Sequence, residues 1–126
     1  MEKGSTKNSL PSATGNLALD QQTYELLVNA SQQSFRSLRK EATLRIIDHT
    51  ERFESVSLQR TNDDIAFRTH IFIPTEVKQK LSKSLYRGQF KIKTLVEECS
   101  IRLKDHLLRY PTISAVGVAQ EGKHAP

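Results

Sequence analysis

The stretch "IAFRTHIFI", residues 65–73, decides how this chain is read. Ile65, Phe67, Thr69, Ile71 and Ile73 recur at every second position, the period of a strand that lays one face on a core. β-branched and aromatic side chains suit that pleated, half-buried surface. Pro74 closes the stretch because it has no amide hydrogen to continue a ladder. Upstream, Val56 and Leu58 alternate with serines and predict an earlier strand, and "RTNDD" between the two runs carries turn chemistry.

Outward from this stretch the period changes to three and four. On the N-terminal side, Tyr24, Leu27, Val28, Ser31, Phe35, Leu38 and Ala42 share one helical face behind Asp20 as N-cap, predicting a helix over about 20–40. Thr43, Ile46 and Ile47 are β-branched, so "TLRII" reads either as its continuation to His49 or as a short strand. Residues 1–18 are rich in Ser, Thr, Asn, Gly and Lys without an apolar period and read as a disordered leader, leaving 19–126 as a single domain.

On the C-terminal side, Thr75 is expected to cap a helix with Val77, Leu81 and Leu85 on one stripe and Gly88 as its stop. A second amphipathic helix is expected within residues 90–111, with Leu95, Val96, Cys99, Leu103, His106, Leu107 and Tyr110 on its apolar face and Pro111 as its end. "TISAVGVA" reads as a short final strand, and no internal repeat is apparent. The fold class is therefore α+β: an antiparallel sheet covered on one face by a pair of helices, with an N-terminal helix.

The chain of 126 residues is sized for one core, and with 37% hydrophobic residues and no tryptophan that core is lean, so self-association is expected. A net charge of +5 attracts phosphates, nucleic acid or an acidic partner. The basic residues are nevertheless spread out, with neither long like-charge runs nor interleaved aromatics. The single cysteine, Cys99, excludes an intrachain disulfide and lies on an apolar helix face as a small buried hydrophobe. No apolar run approaches the roughly 20 residues of a membrane helix, and no signal-peptide core opens the chain, which points to a cytoplasmic, intracellular protein. His49, His70, His106 and His124 are too dispersed for a local metal motif, and no phosphate-binding glycine loop is present, so neither metal nor cofactor is expected.

Phe90, Thr94, Leu95, Glu97, Tyr110, Pro111, Val116, Val118, Ala125 and Pro126 stand where dihydroneopterin aldolases, tunnelling-fold (T-fold) enzymes of folate synthesis, carry a phenylalanine, a Thr-Leu-x-Glu helix start, an aromatic-proline helix end and a Val-x-Val strand. Over its C-terminal two thirds the chain resembles that family. The resemblance implies a cytoplasmic homo-oligomer that cleaves dihydroneopterin by a retro-aldol, carbon–carbon lyase reaction without metal or cofactor. It implies Lys93 and Glu97 at the pterin and Lys123 as the proton-moving lysine. Lys93 stands where the family holds its substrate with a glutamate, so a catalytically degenerate relative is also implied.

The other reading from the residues is a non-enzymatic basic subunit meeting a protein or nucleic-acid partner. One form of it is histone-fold-like, with residues 20–49 as a long central helix.

Overall fold

A computed structural model describes residues 12–56, 64–113 and 119–120. Its elements run β1 (Ser12–Leu19), α1 (Gln21–Ser34), α2 (Leu38–Arg52), β2 (Phe67–Pro74), α3 (Thr75–Lys83), β3 (Tyr86–Arg87), β4 (Phe90–Lys91), α4 (Leu95–Arg109), β5 (Thr112–Ile113) and β6 (Ala119–Gln120). The class is α+β. The alternation that opened the reading is strand β2, and its partner is β1, antiparallel and in register from Ser12 opposite Pro74 to Leu19 opposite Phe67.

β1 lies mostly within the expected leader. From Ser12 onward those polar residues form a strand because β2 offers a full edge to pair with and the inward positions Leu17 and Leu19 are buried. The helix expected over about 20–40 is two helices. Phe35 takes the left-handed conformation (φ 61°), its N–H returning to Gln32 O and that of Arg36 to Ser31 O, a helix-ending pattern normally given to glycine. Ser37 then starts α2 by accepting from the Lys40 N–H. "TLRII" lies inside α2, so its strand reading is corrected: Ala42, Arg45, Ile46 and His49 are buried at helical spacing. The same break removes the long central helix of the histone-fold reading.

Thr75 is the first residue of α3, and Pro74 stands at the cap without a side-chain bond. Gly88 does not stop this helix, which ends at Lys83; at φ 64° it lies between β3 and β4. The helix expected within 90–111 begins at Leu95, because Thr94 and Glu97 form a reciprocal capping box. Residues 57–58 and 114–118, parts of two expected strands, lie outside the described residues. No helix among the described residues is long and apolar enough to cross a membrane.

The architecture is one motif made twice. Strand–helix–helix β1-α1-α2 is followed by strand–helix–helix β2-α3-α4. Buried Leu17, Leu19 and Leu27 correspond to buried Ile71, Ile73 and Leu81 at a shift of 54 positions. Further along, "SLRKEATLRIIDHTERF" (37–53) corresponds to "TLVEECSIRLKDHLLRY" (94–110) at a shift of 57, with Leu38, Glu41, Arg45, Asp48, His49 and Arg52 repeated as Leu95, Glu98, Arg102, Asp105, His106 and Arg109. An internal repeat is therefore present where none was apparent. The ribbon joins the two halves, with Asn16 opposite His70 at its centre, and α2 packs against α4 beneath it.

Candidate functional site

The ribbon has two unlike faces. Leu17, Leu19, Ile71 and Ile73 point into the core with exposures of 2% or less. On the other face Asn16, Arg68, His70 and Phe72 are exposed, Phe72 to 64%, and Ala18 is half-exposed. Phe72 thus shares this outward face with the polar side chains Asn16, Arg68 and His70.

The helices fix this ribbon in place. Thr43 Oγ1 of α2 donates to Phe72 O at 3.2 Å, and Ser100 Oγ of α4 accepts from the Ala18 N–H at 3.0 Å. Thr43 and Ser100 are equivalent positions of the two halves, as are Ala18 and Phe72, so each second helix pins the strand of the other half. Arg39 Nε donates to Thr69 Oγ1 at 3.2 Å. The N-terminal turns of α2 and α4, capped by Ser37 and Thr94, thus flank the ribbon on opposite sides, each carrying the partial positive charge of a helix start. Arg39 and Lys40 are exposed on the α2 flank, and Lys91 is exposed just before α4.

Below the ribbon a buried polar network locks α2 to α4, and it too is made twice. Arg45 binds Glu41 of its own helix through Nε at 2.8 Å and reaches across to His106 Nδ1 at 3.1 Å; His106 Nε2 returns to Asp48 at 2.8 Å. In the other direction Arg102 binds Glu98 at 2.6 Å and His49 Nδ1 at 3.1 Å, and His49 Nε2 meets Asp105 at 2.8 Å. An arginine can only donate, so each Nδ1 accepts and each Nε2 carries the hydrogen that bonds aspartate. Arg45 also donates to Tyr110 O, and Arg102 to Phe53 O, capping the C-terminal end of the opposite helix. Arg52 lies over the Tyr110 ring at 4.9 Å and Arg109 over Phe53 at 4.7 Å.

Burial pushes both imidazoles toward the neutral form, His106 down to about 4; the aspartates oppose this, and the facing arginines add to it. For Glu41 and Glu98 burial works to raise the pKa, but hydrogen bonds outweigh it, from Ser34, Arg36 and Arg45 in one case and Lys93 and Arg102 in the other, and both stay below the usual range. Cys99 is fully buried, its thiol pushed up to about 12 by burial and by Glu98, and it fills the position of Ala42.

Of the residues singled out from the sequence, Lys93 and Glu97 lie among the described residues, and each makes its own local contacts. Lys93 pairs with buried Glu98 at 2.6 Å and lines an open cleft with Lys80, Arg87 and Tyr86. Glu97 closes the capping box with the Thr94 N–H at 2.9 Å and is not among the residues lining that cleft. Lys123 lies outside the described residues. Sequence reasoning missed Asn16, Arg68, His70 and Phe72. The signal available for them was the repeat at 54 and 57 positions, which identifies residues 12–19 as a counterpart of the strand already read.

Nothing among curated proteins and nothing among solved structures matches the chain. A family model does: that of the TraY domain, over residues 15–62, which run from the middle of β1 through α2. This overturns the dihydroneopterin aldolase resemblance, and with it the folate, pterin and lyase assignments. The aldolase reading rested on a helix start and an aromatic-proline helix end, which the structure accounts for as a capping box and as an acceptor for Arg45. Over residues 15–62, less than half of its length, the chain is similar to the TraY domain.

Proposed function

We propose that this chain binds double-stranded DNA by laying the outer face of the β1–β2 ribbon in the major groove, with the starts of α2 and α4 against the flanking phosphates. The major groove, about 12 Å wide, admits a two-stranded ribbon. A helix N-terminus is a ready phosphate site through its free N–H groups and dipole. The observation that carries the reading is the outward row Asn16, Arg68, His70 and Phe72, held exposed over a buried inner face. Arginine pairs with guanine N7 and O6, asparagine with adenine N6 and N7, and an apolar side chain meets the thymine methyl. The net charge of +5 favours the polyanion, and the TraY match supports the same reading, that family being one of DNA binding in conjugal transfer.

Because the chain supplies both strands of its own ribbon, a single copy forms the reading element. The test is fluorescence anisotropy of the full chain with labelled duplex and single-stranded DNA across a salt series. Duplex binding whose log affinity falls linearly with log salt is expected, together with a marked loss in Arg68→Ala while its circular dichroism spectrum stays unchanged. Absence of duplex binding at low salt, or equal affinity for single strands, would overturn the reading.

A further inference from the structure

The buried faces of the two halves repeat one another, but the faces that would meet DNA do not. At the shift of 54 positions, Thr14, Asn16 and Ala18 of β1 correspond to Arg68, His70 and Phe72 of β2. A small, neutral set thus stands opposite a cationic, aromatic one. The flanks differ in the same sense: Arg39 and Lys40 at the start of α2 correspond to Val96 and Glu97 at the start of α4. Arg39 is bonded to Thr69 of β2, and Ser100 of α4 to Ala18 of β1. The flank with Arg39 and Lys40 therefore lies beside the strand with Arg68, and the flank with Val96 and Glu97 beside the uncharged strand.

From this alignment we infer that the chain recognises a non-palindromic duplex sequence in one fixed orientation, with β2 and the start of α2 over the strongly discriminated side and β1 and the start of α4 over the weaker side. The inference rests on the reading under Proposed function and deepens it. A two-fold arrangement of identical strands reads the same bases on either side of its centre. Here Arg68 offers a bidentate donor to guanine on one side only, because the sequence has no arginine at the equivalent position of β1, residue 14. Phosphate contacts fix register and orientation, and Arg39 with Lys40 provides them on the Arg68 side. Asn16 and His70 face each other at the centre, where adenine is the base that suits the asparagine amide.

The experiment is selection of bound duplexes from a random library by the full chain, followed by affinity measurements on the selected site and on two palindromes, each built from one of its halves. A non-palindromic consensus is expected, with the palindrome made from the weaker side bound at least roughly tenfold less tightly than the selected site. Arg68→Ala is expected to relax guanine preference on one side of the centre only, by roughly ten- to a hundredfold, and Asn16→Ala to relax adenine preference at the centre. Both side chains are exposed, so neither change threatens folding. A palindromic consensus, equal affinity for all three duplexes, or relaxation on both sides in the Arg68 variant overturns the inference while leaving duplex binding intact. If no duplex is enriched at all, the function proposed above fails and this inference with it.

Discussion

The first half, residues 12–53, and the second, residues 67–110, differ in an orderly way: alike where they touch each other and unlike where they face solvent. At the α2–α4 junction every member of one network has its counterpart in the other, from Glu41 and Glu98 to Arg52 and Arg109. Away from it, α1 has 14 residues and α3 has 9, the shortfall being taken up by the β3–β4 hairpin. Asp20 caps α1 and holds Lys104 at 3.1 Å, whereas Pro74 in the equivalent place can do neither. An interface around a two-fold axis uses each side chain twice, so a change in one copy leaves a buried charge unmatched in the other. The outer faces have no such restraint.

The comparison breaks most severely at its buried cations. Arg45→Ala and Arg102→Ala are each expected to cost about 3–5 kcal/mol, because each breaks a buried ion pair and also removes the donor to the histidine and the helix-end carbonyl of the other half. Urea unfolding should give losses that agree to within about 1 kcal/mol. A clear inequality would mean that the halves are not energetically equivalent.

Acid is the next largest perturbation. The folded pKa of His106 lies below its ordinary value of 6.5, at about 4, and that of His49 is lowered too. Protonation therefore favours the unfolded chain, and the stabilisation is fully present above pH 6.5 and lost as pH falls toward 4. The loss for His106 is on the order of 3 kcal/mol. The lowered carboxylates Asp48, Asp105, Glu41 and Glu98 add to it at still lower pH. Thermal melts at pH 7 and pH 4.5 should show the fall, and His106→Asn should flatten it.

The caps sharpen the contrast between the halves. Ser37→Ala and Thr94→Ala should each cost about 1 kcal/mol, and Asp20→Ala rather more, up to about 2, since it also releases Lys104. The smallest expected effect is a gain. Phe35 takes a left-handed conformation that side chains avoid, and it is 95% exposed, so Phe35→Gly should stabilise by roughly 0.5 kcal/mol, measured as a small rise in melting temperature.

Much of the fold was legible residue by residue. The alternation at 65–73 became β2, the apolar face from Leu95 to Tyr110 became the buried side of α4, and Cys99 proved to be packing. The site was not legible from either strand separately. "SATGNLAL" lacks the run of β-branched residues that marks β2, and it is a strand because it pairs along its whole length with a segment more than fifty residues away. His49 and His106, read as dispersed, meet with ring centroids 6.3 Å apart.

By itself, then, the sequence determined what depends on near neighbours: helical and strand periods, the stop at Pro111, and even the repeat of Glu41-x3-Arg45-x2-Asp48-His49 in Glu98-x3-Arg102-x2-Asp105-His106, present in the letters. Only the tertiary structure decided that these two copies face each other, that each arginine serves the histidine of the other half, and that Asn16, Arg68, His70 and Phe72 share one exposed face. The physical reason is that hydrogen bonds and strand register join groups by distance in space, which separation along the chain does not fix.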